Sequence, residues 1–100
     1  MARDGVTTPL LLAIVGGHTD AVRALLWRGA RPGGVAPHAW GPLHAAAACN
    51  RLGVLELLLQ LGANAGATDE RSGQMPEDAA RRRGHTRAAD LLAAFREAMA

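Results

Sequence analysis

The sequence predicts an all-α solenoid of stacked helix-turn-helix units with protruding loops. Two observations carry that expectation. The first is a recurring motif: Pro9, Pro42 and Pro76 stand 33 and 34 residues apart. The turns Gly17-His18, Asn50-Arg51 and Gly84-His85 repeat both spacings, and Ala24-Leu25-Leu26 and Gly29-Ala30 return 33 residues on as Leu57-Leu58-Leu59 and Gly62-Ala63. Registers that agree independently at a fixed period mark a repeat array, whose units bury their faces on their neighbours. The second is composition. Apolar residues make up 49% of the chain but aromatic residues only 3%, namely Trp27, Trp40 and Phe95. Ala and Leu must then do the packing, which suits close helix contacts and argues against a β sandwich.

One hundred residues fit a single domain. Residues 1–100 read as one repeat domain, with repeat 1 over about 4–34, repeat 2 over about 37–68, and repeat 3, a C-terminal cap, over about 70–100. In the first repeat Thr8 is placed to cap a helix, and Pro9 to occupy its first position, where a missing N–H is no loss. Leu10, Ala13 and Ile14 supply a helical stripe. Gly16-Gly17 ends that helix, because glycine tolerates positive φ. Thr19 or Asp20 starts the next, with Asp favoured near the positive helix end; Val22, Leu25 and Leu26 form its apolar face and Gly29 stops it. In the second repeat the helices are expected from Pro42 to about Asn50, and from Gly53 or Val54 to Leu61. Asn50 replaces Gly17, and asparagine is the non-glycine residue most at ease in the left-handed conformation. In the third, a polar helix begins at Pro76 and a longer one runs from about Thr86 to Met99, with Ala88, Ala89, Leu91, Leu92 and Phe95 at helical spacing.

Charge and cysteine content narrow the function classes. All 11 basic residues are arginine and the formal charge is only +2. That is too small an excess to point to nucleic acid, which requires a dense basic face. Cys49 is alone, so no internal disulfide and no CxxC metal pair exist. No apolar run approaches the roughly 20 residues of a membrane span. Asp4, Pro9 and the Gly16-Gly17 pair fit a secretory signal poorly. The expected setting is intracellular, cytoplasmic or nuclear.

The segments "TPLLLAIVGGHTDAVRALLWRGA" and "GPLHAAAACNRLGVLELLLQLGA", with the weaker "SGQMPEDAARRRGHTRAADLL", resemble the ankyrin repeat. The motif of that family reads Thr-Pro-Leu-His, small residues, Gly-His, Val-Val, Leu-Leu-Leu, Gly-Ala. Here Leu11 stands at the histidine position, which His44 keeps and Asp78 fills with an acid. Gly41 and Met75 replace the threonine, so two helices lose a side-chain cap worth about 1 kcal/mol each. The connector "RPGGVAPHAW" lacks the usual turn residues of the family. The first repeat offers no polar outer face: Leu11, Leu12 and Ile14 are expected to point outward, as if the chain were the last three repeats of a longer array. Glu77, Asp78 and Arg81 to Arg83 make the third repeat polar, as a cap requires.

The resemblance implies a non-catalytic protein-interaction module, an adaptor or scaffold. Its partner would be another protein with an acidic segment, gripped on a concave face of loop tips and inner helices. By the same resemblance Trp40, His38, Ala48, Cys49, Arg71, Gln74, Arg82 and Arg83 fall on that face, and Trp and Arg are common interface hot spots. The alternative is a regulatory or substrate-recruiting part of a larger protein, such as a ubiquitin-ligase adaptor, a GTPase regulator or a channel. Self-association through the uncapped first repeat is a further expectation. No catalytic, cofactor or metal residue is expected. Cys49 and His44 are five apart and not aligned on one helix face, no acid is spaced to orient the histidine, and the acidic pairs Asp69-Glu70 and Glu77-Asp78 serve turns and caps. His44 is expected to bond backbone between repeats, His18 and His85 to be turn residues, and Trp27 to pack or lie partly exposed.

Overall fold

The computed structural model describes residues 9–29, 41–68 and 72–98. Those residues form six helices and, among them, no strand: α1 Pro9–Val15, α2 Thr19–Trp27, α3 Pro42–Ala48, α4 Leu52–Gln60, α5 Pro76–Arg82 and α6 Thr86–Ala98. Each consecutive pair is a hairpin. The first helices stack as α1, α3, α5 and the second helices as α2, α4, α6.

One local device builds all three hairpins. Gly17, Asn50 and Gly84 adopt positive φ of 76°, 57° and 77°. The residue after each donates its N–H to the helical carbonyl five residues back: His18 to Ala13 at 2.9 Å, Arg51 to Ala46 at 2.8 Å and His85 to Ala80 at 2.9 Å. This is the Schellman closure, which satisfies carbonyls left over at a helix end. The second helices of repeats 1 and 2 close on Gly29 and Gly62, both with positive φ. α4 begins at Leu52, one or two residues earlier than expected.

The core lies between the two helix layers. Leu10, Leu43, Val22, Leu55, Leu58 and Leu92 fill it, and Ala13, Ala46 and Ala80 recur in one register where the helices approach closely. All seven residues of α3 are buried. Burying a leucine or valine contributes roughly 1.5–3 kcal/mol, so this seam holds the hairpins together.

Three expectations need correction. Ile14 does not face outward; it is 0% exposed, because its helical phase turns it into the core with Leu10. Leu11 is half-buried, and the exposed apolar residues of α1 are Leu12 and Val15. Ala48 is buried rather than displayed on a binding face. Glu77 is not a solvated cap residue: it takes the register of Leu10 and Leu43 and is buried like them.

The lost threonine caps are replaced from the other side. No side chain at Gly41 or Met75 caps its helix. Instead the third helical residue reaches back to accept the cap amide: His44 Nδ1 from Gly41 N–H at 3.3 Å, and Asp78 Oδ2 from Met75 N–H at 3.0 Å. This is the second half of a capping box, made without the first.

Candidate functional site

Polar side chains join each repeat to the next. Arg51, the residue before α4, donates Nε to the Ile14 carbonyl at 3.2 Å and Nη2 to the Val15 carbonyl at 2.7 Å. These are the last carbonyls of α1, where a cation also complements the helix dipole. Gly17 leaves room for it, since a Cβ there would fall 3.0 Å from the guanidinium carbon. His85, the residue before α6, occupies the same register one repeat on, and its Nδ1–H donates to the Ala47 carbonyl at 3.2 Å. Buried His44 donates Nε2–H to the Gln74 carbonyl at 2.8 Å. One neutral tautomer serves both of these His44 bonds, because Nδ1 acts only as acceptor. His44 therefore bonds backbone between repeats, as its position suggested, and His85 does more than form a turn.

The third repeat contains a buried carboxylate clamp. Glu77 Oε1 accepts from Arg96 Nη2 at 2.7 Å, and Oε2 accepts from Arg81 Nε at 3.0 Å and Nη2 at 2.8 Å. The carboxylate side chain is 12% exposed, while the arginines are 42% and 51% exposed. Arg81 is thus held by Glu77 although half of its side chain is exposed, which leaves Arg82 and Arg83 as the arginines of the triplet with no ion pair among the described residues. Sequence reasoning missed this clamp. Its signal was a carboxylate standing in the register of two core leucines.

The expected binding residues do not form one cluster. Cys49 and Arg83 are the C-cap residues of the adjacent helices α3 and α5, and Arg82 ends α5. Those three share one end of the layer formed by the first helices α1, α3 and α5. Cys49 is half-buried; Arg82 and Arg83 are exposed and make no ion pair among the described residues. Gln74 lies before the opposite end of α5, half-buried, with its carbonyl engaged by His44. The length of α5, about 10 Å at 1.5 Å per residue, separates it from Arg82. His38, Trp40 and Arg71 lie outside the described residues.

Two apolar features were not anticipated. Trp27, the last residue of α2, is 91% exposed and does not pack on the stack. An open groove runs between the end of α4 and the last turns of α6, lined by Leu59, Ala63, Ala65, Phe95 and Arg96 among the described residues. The Arg96 guanidinium there already binds Glu77, and the neighbouring Asn64 side chain accepts from Gly66 N–H at 3.0 Å. The groove therefore lacks the free convergent polar groups that orient a small ligand. Among the described residues no three His, Cys, Asp or Glu side chains gather to hold a metal ion. No described helix is long and apolar enough to cross a membrane.

No curated protein matches the chain. A family model described as ankyrin repeats in three copies matches residues 2–69, which span the first two hairpins. The third hairpin repeats their closure and stacks on them in the same register. The period, the three identical turns and the family match agree: the chain belongs to the ankyrin-repeat family.

Proposed function

We infer that the chain binds another protein through the connectors and the inner-helix layer, without chemistry of its own. Ankyrin repeats are generally protein-interaction modules and generally non-catalytic. The observation that carries the reading is the placement of Arg82 and Arg83. Both are exposed at the end of an inner helix, while the third arginine of the triplet is consumed by Glu77. Two free guanidiniums on a rigid element suit an acidic segment, since arginine forms bidentate bonds with carboxylates. Cys49 and Gln74 border the same layer. Trp40, His38 and Arg71 join the proposal as the apolar and polar contributions of the connectors. The acidic partner and the use of a concave face belong to this reading alone.

Charge reversal tests it. Arg82→Glu with Arg83→Glu, and separately Trp40→Ala, should leave the helical melt unchanged and deplete the proteins captured by the wild-type chain in quantitative affinity capture. If the captured set is the same for all three chains, the proposed surface is wrong.

A further inference from the structure

Arg81, Arg82 and Arg83 lead directly into the turn before α6, and the first residue of α6 is Thr86. Arg83 stands three residues before that threonine and Arg81 five before it. The hydroxyl side chains of the protein are Thr7, Thr8, Thr19, Thr68, Ser72 and Thr86, with no tyrosine. Only Thr86 has arginine at both of those upstream positions. Protein kinases select substrates by charge patterns of this kind, and a substrate guanidinium pairs well with kinase carboxylates placed beside the reacting hydroxyl.

The fold leaves the segment open. Arg82, Arg83, Gly84, Thr86 and Arg87 are exposed, and only His85 among them is half-buried. The Thr86 hydroxyl makes no hydrogen bond among the described residues, and Arg82, Arg83 and Arg87 make no ion pair there. Thr19 occupies the same register in the first hairpin and supplies an internal contrast. It is half-buried, Gly16 stands where the third hairpin has Arg83, and Asp20 follows it where Arg87 follows Thr86. Arg87 is also out of place on local grounds. A helix start favours acids over cations, yet α6 has no acid in its first turn and carries Arg87 there. Phosphate on Thr86 reverses that balance: it adds about two negative charges to the helix start, flanked in sequence by Arg83 and Arg87. Asp90, one turn on, is the carboxylate nearest in register on α6, and the two guanidiniums outweigh its repulsion.

We propose that Thr86 is a phosphorylation site for an arginine-directed protein kinase. The group transferred is the γ-phosphoryl of ATP. Its bond to the bridging oxygen breaks, a bond from phosphorus to Thr86 Oγ1 forms, ADP leaves, and the hydroxyl proton passes to the catalytic base of the kinase. The kinase must draw out the segment, so the turn opens at the cost of two His85 bonds, from its N–H to the Ala80 carbonyl and from its ring to the Ala47 carbonyl. Helix ends open more readily than helix centres. Arg81 has to leave Glu77 in the same step, while Arg96 keeps its hold on the other carboxylate oxygen. The inference is independent of the acidic-partner reading, because it concerns a covalent change at Thr86 and not what the arginines bind.

The test incubates the full chain with Mg·ATP and a kinase whose best peptides carry arginine three and five residues ahead of the hydroxyl. Intact mass and fragment mapping read the product. One phosphoryl group is expected on Thr86 and none on Thr19, and Thr86→Ala should abolish it. Arg83→Gln should slow incorporation by about tenfold or more, as loss of one charge-assisted hydrogen bond to the kinase does. The phosphorylated chain should melt about 2–4 °C above the unmodified one. Arg87→Gln should shrink that rise and leave the rate of incorporation unchanged, which separates holding the product from recognition by the kinase. The proposal is overturned if Thr86 takes up no phosphoryl group, if Arg83→Gln is modified as fast as the natural chain, or if the phosphorylated chain melts lower.

Discussion

Removing Arg96 tests what holds Glu77 in the third hairpin. Arg96→Met keeps the aliphatic stem beside Phe95 and deletes the guanidinium that donates to Glu77 Oε1 at 2.7 Å. Arg81 still serves Oε2, so one oxygen of a largely buried carboxylate loses its donor. A hydrogen bond to a charged group contributes about 1.5–3 kcal/mol. The Arg96 side chain is 42% exposed, however, so water can enter in its place, and exposed ion pairs contribute under about 1 kcal/mol. The expected loss lies between, at about 1–2 kcal/mol, which lowers the midpoint by about 4–15 °C at this chain length. Glu77→Leu separates the charge from the site. Leu10 and Leu43 fill the same register and are buried, and both arginines can extend into water once the carboxylate is gone. Replacing a buried ionic group by an apolar one of similar size is often neutral or stabilising, so Glu77→Leu should melt within about 1 kcal/mol of the natural chain, or above it. Thermal melts followed by circular dichroism at 222 nm read both variants. If Glu77→Leu melted as low as Arg96→Met, or Arg96→Met melted unchanged, the uncompensated carboxylate would not be the source of the loss.

Two further substitutions probe the turns and the inter-repeat bonds. His44→Ala leaves the Gln74 carbonyl and the Gly41 amide without their partner and opens a void in a 2% exposed site; a loss of about 2–4 kcal/mol is expected from chemical denaturation. Asn50→Gly should be neutral within about 0.5 kcal/mol, whereas Asn50→Val should lose about 1–2 kcal/mol, because a β-branched residue is strained at a φ of 57°; a valine variant as stable as the glycine variant would mean that the turn had rearranged.

The period was legible because it is written in residues with strong local meaning. Proline marks three helix starts, and glycine or asparagine marks three left-handed turns, so the hairpins and their order followed from spacing alone. Contacts whose partners lie far apart in the chain were not legible. Glu77 and Asp78 look alike in sequence, yet Asp78 caps its own helix while Glu77 turns inward to meet an arginine 19 residues on. Ile14 looked like part of an exposed edge because apolar residues fill most of α1, and only the helical phase separates it from Leu12. The absence of a side-chain cap at Gly41 and Met75 was legible, whereas the compensating acceptor at the third helical residue, His44 or Asp78, was not. For the binding surface, the family resemblance nominated Arg82 and Arg83, but nothing local in the sequence showed that Arg81 is engaged by Glu77.

The burial of α3 has a mechanical consequence. All seven of its residues are covered, with α1 on one side and α5 on the other, while among the described residues each outer hairpin stacks only on the middle one. Tension applied through the two ends loads those outer interfaces first. Peeling off the third hairpin severs the His44 and His85 bonds together, and peeling off the first severs both bonds of Arg51. None of these bonds spans from the first hairpin to the third, so either can release while the other stays seated. The chain is therefore built to lengthen in steps from its ends inward, and its alanine-lined middle, exposed on both sides once the flanks have gone, is the part least able to stand alone.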